Sequence, residues 1–237
     1  VDPRKGFEII TDQGSKIVFP PFSYRSPQTK NASGYFSKAP MDLIDLFIGS
    51  EGTLGIFASI TVKLQESINI VAGCTFFKTL ESAFLFADFL RKENDVLSIE
   101  FFDESSLKFI DAYRERMAEP IPKFPENCTQ AILWEFAEKE TGSFQDKYEI
   151  WESFLNSCDS SFDNTWSGME SKEIEKLKRF RHALPESINA AVSSFKNNCP
   201  LIRKIGTDTA LPAECFSSVY KEYLRLIKKN SLNHAAF

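Results

Sequence analysis

Two stretches of this chain place residue types at spacings that could do chemistry. The first is Asp45-Leu46-Phe47-Ile48-Gly49-Ser50-Glu51-Gly52-Thr53-Leu54-Gly55-Ile56, with three glycines within seven residues. Glycine has no Cβ and takes positive φ freely, so its N–H can come close to a ligand. Successive N–H groups in such a turn form a concavity that favours an anion such as a pyrophosphate. A tight turn with no ligand is the competing reading, because glycine is common turn punctuation. The second stretch is Leu177-Lys178-Arg179-Phe180-Arg181-His182. The planar fork of an arginine can grip a carboxylate with two parallel hydrogen bonds. Arg179 and Arg181 are two apart, so on a helix at most one would face a given pocket. A basic cluster on a helix is also commonly a solvated face.

Other chemistries have less to stand on. His182 and His234 are the only histidines and are too far apart for ligand spacing, so no metal site is expected from the residues present. Cys74, Cys128, Cys158, Cys199 and Cys215 are odd in number and hold no C-x-x-C pair. Reduced, mostly buried thiols in a cytoplasmic protein are the expectation. Asn31-Ala32-Ser33 and Asn127-Cys128-Thr129 fit the glycosylation sequon, a pattern short enough to arise by chance. A net charge of −5 argues against a nucleic-acid-binding face, which would be basic. No apolar run reaches membrane-spanning length.

The elements that must position these groups can be read in order. Phe7–Ile10 and Lys16–Phe19 are strand candidates around the turn Thr11-Asp12-Gln13-Gly14. A polar connection follows from Pro20 to Ser37, a length that suggests a ligand-facing loop. The spacing predicts a helix over 41–48 behind Pro40, then the glycine turn, then a buried strand over 54–64. Beyond the polar break Gln65-Glu66-Ser67, strands and helices alternate: strands over 68–77, 96–102, 131–137 and, weaker, 161–166. Helices are predicted over 80–92, capped by Thr79, and over 104–116 and 144–156. Pro120 to Pro125 reads as a loop. A long helix over 170–197 should kink or break at Pro185. An amphipathic helix over 213–229 closes the pattern, whose strand–helix units match a ferredoxin-like split arrangement. With 43% hydrophobic residues and 23 Phe the core should be aromatic-rich, in one large domain or two modest ones.

The wording of the glycine stretch resembles the end of the FAD domain in the FAD-linked 2-hydroxyacid oxidases. That family includes D-lactate dehydrogenase, the glycolate oxidase flavin subunit and D-2-hydroxyglutarate dehydrogenase, among the vanillyl-alcohol-oxidase-type flavoproteins. Lys30-Asn31-Ala32-Ser33-Gly34-Tyr35 resembles the family's lead-in. The resemblance implies an α+β protein: residues 1–64 as the trailing part of a PCMH-type FAD-binding domain, and 65–237 as a ferredoxin-like cap or substrate domain. It implies FAD contacts from Gly49, Ser50, Glu51, Gly52, Thr53, Gly55 and Ile56. Glu51 would repel a pyrophosphate, so it is expected to accept bonds from turn N–H groups or a ribose hydroxyl. Lys30 is the one nearby cation, with a solvated lysine as the plainer reading.

The stretch around Arg181-His182 is similar to the family's Trp-x-x-Arg-His segment, whose arginine binds the substrate carboxylate, although Leu177 or Lys178 stands where Trp is frequent. Lys204-Ile205-Gly206-Thr207-Asp208-Thr209-Ala210-Leu211-Pro212 resembles the family's Thr-Asp-Val-x-Val-Pro strand. Asn233 to Phe237 resembles the approach to its His-x-Gly-Asp-x-x-x-His metal strand. The resemblance thus implies oxidation of a D-2-hydroxy acid (lactate, glycolate or 2-hydroxyglutarate class) to the 2-oxo acid. A divalent metal would be held by residues outside this chain. A fragment of a longer protein, inactive alone, is expected, since the chain starts at Val1-Asp2-Pro3. The expected partners are the substrate, an electron acceptor or iron–sulfur protein, and a second subunit in a homodimer. Nucleic acid and a transmembrane segment are not expected; a cytoplasmic protein, peripheral to the membrane at most, is. An ether-lipid-synthase-like flavoenzyme and a non-catalytic ferredoxin-like binding or assembly module are the alternatives.

Overall fold

The computed structural model describes residues 1–21, 27–31, 33–116, 121–139 and 142–237. Part of the Pro20–Ser37 connection, Ala32 of the Lys30–Tyr35 lead-in and Pro120 of the Pro120–Pro125 loop lie outside the described residues. The protein is mixed α and β with antiparallel sheets, compatible with the α+β expectation. It divides into two compact units, residues 1–64 with 207–220, and residues 65–206 with 221–237.

In the first unit, β1 (Phe7–Ile10) and β2 (Lys16–Phe19) pair antiparallel as a hairpin, with Phe7 opposite Phe19. The two rings stack at 4.7 Å, and Gly14 turns the chain at φ 78°. The helix expected over 41–48 is a single 3₁₀ turn, Leu43–Leu46, in which Asp42 and Asp45 cap each other's backbone reciprocally. Eight residues between Pro40 and Gly49 are too few to recover the cost of helix nucleation. The strand expected over 54–64 is likewise not formed: the segment is irregular, with Ile56 97% and Leu64 84% exposed. Alternation marks a face that could be buried, but a strand also needs a neighbour, and among the described residues the first unit's one sheet is the two-stranded hairpin. Residues 204–212, matched by wording to a strand, are also irregular for the same lack of a ladder.

The second unit is built on a four-stranded sheet. Its strands are β3 (Asn69–Phe77), β4 (Val96–Phe102), β5 (Gln130–Glu138) and β6 (Thr165–Gly168), in spatial order β4-β5-β3-β6, every pair antiparallel. The predicted fourth strand is displaced, because Phe162–Asn164 forms a 3₁₀ turn ahead of β6. Side chains alternate across the sheet. Val71, Phe77, Ile132, Trp134 and Phe136 face one side, where α1 (Leu80–Leu90) and α3 (Gln145–Ser157) bring Phe86, Leu90, Trp151 and Leu155. Thr79 caps α1 by accepting from the Ser82 N–H at 3.2 Å. Ala72, Cys74, Phe76, Ala131 and Leu133 face the other side, covered by α2 (Glu104–Tyr113) and α4 (Ser171–Lys196). Each large side chain so buried contributes about 1.5–3 kcal/mol.

Of the kink or break expected at Pro185, the break does not occur: α4 stays helical from Ser171 to Lys196. Leu177, Phe180, Ala183, Leu184, Ser187 and Ala191 form one buried stripe, and that packing outweighs the lost hydrogen bond. The Ser187 hydroxyl donates to the Ala183 carbonyl at 2.7 Å within the same stretch. At the other end of this layer, the chain's last residues settle on the start of α2. Asp103 N–H donates to the Ala236 carbonyl at 3.2 Å, which also accepts from Ser106 Oγ at 2.9 Å. A final helix, α5 (Phe216–Lys229), begins in the first unit and ends in the second, where Lys221 pairs with Glu81 at 2.8 Å. No helix among the described residues is long and apolar enough to cross a membrane.

Candidate functional sites

The glycine stretch of the first unit forms a run of positive-φ positions: Gly49 at 78°, Glu51 at 49°, Gly52 at 78° and Gly55 at 157°. Glu51 and Gly52 are the central residues of a turn closed by the Thr53 N–H on the Ser50 carbonyl at 2.9 Å, and both have the positive φ of a primed turn. Thr53 Oγ1 donates to that same carbonyl at 2.6 Å and shares a hydrogen bond of 2.8 Å with Tyr35 Oη. The Ser50 N–H is also used internally, on Phe47. The amides of Gly49, Glu51, Gly52, Gly55 and Ile56 make no backbone hydrogen bond among the described residues.

Two further observations bear on whether this turn fits a bound dinucleotide. A Cβ placed on Gly49, Gly52 or Gly55 would meet no atom within 4 Å, so the space beside these amides is open. Ser50 is 3% exposed, yet its Oγ has no hydrogen-bond partner among the described residues. A buried hydroxyl without a partner costs about 1–3 kcal/mol unless a ligand or water completes it. Free amides, open space and an orphaned hydroxyl together fit an anionic group such as a pyrophosphate. Glu51 is exposed at the tip of the turn. Lys30 sits 3.9 Å from Asp208 in an exposed ion pair.

The second site lies between α4 and the sheet, in a cleft of about 390 Å³ lined by Ser98, Glu100, Glu135, Leu177, Lys178, Arg181 and His182 among others. Sheet register explains its charge. Ser98 pairs with Glu135 and Glu100 with Leu133, so the two carboxylates are diagonal neighbours on the face that α4 covers. Ser98 Oγ donates to Glu135 at 3.3 Å. Helical spacing puts Lys178, Arg181 and His182 on one stripe of α4, and all three line the cleft. Arg179, by contrast, is not among the lining residues.

Arg181 Nε donates to both oxygens of Glu100, at 2.5 and 2.7 Å. The Glu100 carboxylate holds the guanidinium above its ordinary range, with a smaller push from Glu135. Arg181 is 51% exposed and Glu100 26%, so solvent screens the pair and its contribution to stability is under about 1 kcal/mol. Its effect is to orient rather than to stabilise. Sequence reasoning passed over Glu100, Glu135 and Ser98. The available signal was a single carboxylate inside each of two otherwise apolar strands, VLSIEFF and AILWEFA, where an unpaired charge would be costly.

Elsewhere the thiols are less uniform than expected: Cys74 and Cys158 are buried, Cys128 and Cys215 half-buried, and Cys199 exposed. His234 Nε2 lies 3.1 Å from Asp103 Oδ2, within ion-pair distance but outside hydrogen-bond geometry. Among the described residues no group of three His, Cys, Asp or Glu side chains could hold a metal ion.

No protein-family model matches the chain. Over 84 residues it is 34% identical to the mitochondrial D-lactate dehydrogenase (cytochrome) of Arabidopsis thaliana, a stretch that covers 35% of this chain and 14% of the relative's length. That partial likeness suggests the FAD-linked 2-hydroxyacid dehydrogenase family and an oxidoreductase, and specifies nothing narrower.

Proposed function

We propose that this chain belongs to an FAD-dependent oxidoreductase that oxidises a D-2-hydroxy acid of the lactate, glycolate or 2-hydroxyglutarate class to the 2-oxo acid. The observation that carries the reading is the turn at Gly49–Ile56, where the amides of Gly49, Glu51, Gly52, Gly55 and Ile56 and the buried Ser50 hydroxyl have no partner among the described residues. In this reading residues 1–64 are the trailing part of a PCMH-type FAD domain and residues 65–237 a ferredoxin-like cap. The antiparallel order β4-β5-β3-β6 (second, third, first and fourth strands of the unit) supports such a cap, with α2 inserted between its second and third strands.

Gly49, Gly52, Gly55 and Ile56 would hold the cofactor through their amides and Ser50 through its hydroxyl, Thr53 would keep the turn closed, and Glu51 would turn away or take a hydroxyl. A bound flavin supplies the acceptor for the hydride that leaves the α-carbon. Arg181 grips the substrate carboxylate and fixes the α-carbon in place, which lowers the entropic part of the barrier. The cleft under α4 sets an apolar floor at Ala72 and Leu133 beside the half-exposed arginine.

The test is steady-state oxidation of a panel of D-2-hydroxy acids by the full-length gene product, with flavin content measured by visible absorbance. Arg181→Ala is expected to keep the bound FAD and to lower kcat/KM by about ten- to a hundredfold, the loss of a charge-assisted contact to the substrate. A colourless protein with no affinity for FAD would overturn the reading.

A further inference from the structure

We infer that Glu100 is a positioning residue for Arg181: it holds the guanidinium by Nε and leaves the Nη1/Nη2 edge ready for a carboxylate. The inference rests on the proposed role of Arg181 in carboxylate binding. Both Glu100 oxygens lie on Nε, and neither Nη atom has a hydrogen-bond partner among the described residues. A guanidinium engaged on its Nε side still offers two parallel N–H donors at its far end, the pair a carboxylate matches.

The anchor is itself well held. Glu100 stands on β4, in register with Leu133 of β5, so its backbone cannot follow a swinging arginine. Arg181 by contrast sits on an exposed stripe of α4, where an unrestrained arginine would sample many rotamers. Freezing those rotamers beforehand removes a cost that the ligand would otherwise meet on binding. The opposing effect is repulsion between Glu100 and an incoming carboxylate, with Glu135 adding to it. Were repulsion the stronger effect, Glu100 would act as a competitor and its removal would tighten binding. The two roles therefore predict opposite signs.

The experiment is a titration of the flavin-bound full-length gene product with D-lactate, followed through the ¹H–¹⁵N resonances of arginine Nε. In the wild type one Nε–H signal, missing from Arg181→Ala, should exchange slowly with water and shift to saturation with D-lactate. Glu100→Ala should make that proton exchange fast and raise the Kd for D-lactate about three- to tenfold. Glu100→Gln, which keeps an acceptor in place without the charge, should fall between the two and guards against a folding defect. D-lactate binding to Glu100→Ala that is as tight as wild type, or tighter, overturns the positioning role. The underlying reading fails separately if Arg181→Ala binds D-lactate like wild type, or if the wild-type Arg181 signal ignores D-lactate.

Discussion

Gly73 and Trp134 stand opposite each other on the two central strands, and the indole fills the space that a side chain at residue 73 would need. A Cβ there would lie 2.3 Å from Trp134 Cζ2, inside any real contact distance. The indole cannot easily give way, since its Nε1–H donates to Thr75 Oγ1 at 3.1 Å and its ring packs against Trp151 at 5.1 Å. Gly73→Ala should therefore lower stability by about 2–3 kcal/mol through overpacking. Urea unfolding followed by tryptophan fluorescence should show an earlier midpoint with little change in slope.

At the glycine turn, Ser50→Ala separates a ligand role from a structural one. The Oγ it removes is buried and has no partner among the described residues, so stability should hold or rise slightly. Affinity for FAD should fall by about three- to tenfold, the loss of one hydrogen bond. Flavin fluorescence quenching measures the second effect and thermal melting the first. A destabilised variant with unchanged FAD affinity would assign the hydroxyl to the fold.

Asp103 ties two distant parts of the second unit together. Its Oδ1 accepts from the Ser106 N–H at 2.7 Å, capping α2, and lies 3.3 Å from the Ala236 N–H. Asp103→Ala should cost about 1–2 kcal/mol for the cap and loosen the last residues by one hydrogen bond, while the residue 103 N–H and Ser106 Oγ still hold the Ala236 carbonyl. Hydrogen exchange should rise together at residues 104–107 and 234–237. A rise at the helix alone would show that the tail is held by something else.

Burial pushes the Cys74 thiol well above its ordinary value near 9.0, because the folded core disfavours the thiolate. A group whose folded pKa is raised stabilises the fold fully below its unfolded pKa and loses that contribution as pH rises towards the folded value. Stability should accordingly decline above about pH 9, and Cys74→Ala should flatten that decline. In native protein at pH 8 iodoacetamide should modify the exposed Cys199 well before Cys74.

Much of the second unit was readable from local chemistry. Thr79 announced α1, and short apolar runs located β3, β4 and β5 to within a residue of their observed ends. Local signals failed where the deciding partner is remote. Ile56, Ile60, Val62 and Leu64 alternate as a buried strand would, but whether a strand forms depends on a neighbouring backbone that periodicity cannot report. Pro185 has the same lesson in reverse, since the sheet beneath Leu184 and Ser187 kept α4 intact. For the site, the basic cluster narrowed the choice to Arg179 or Arg181. Only sheet register disclosed that Glu100 waits beneath the second of them.

The strand order of the second unit also sets when its sheet can assemble. β3 is made first but sits in the interior, flanked by β5 and β6, so during synthesis both its edges stay empty until residue 130 and beyond have left the ribosome. Val71, Phe76 and Phe77 must wait through some fifty residues of intervening chain, a loop whose closure entropy slows the search. The nascent chain in that interval is an adhesive edge in need of shelter, and the arrival of β5 ends its exposure.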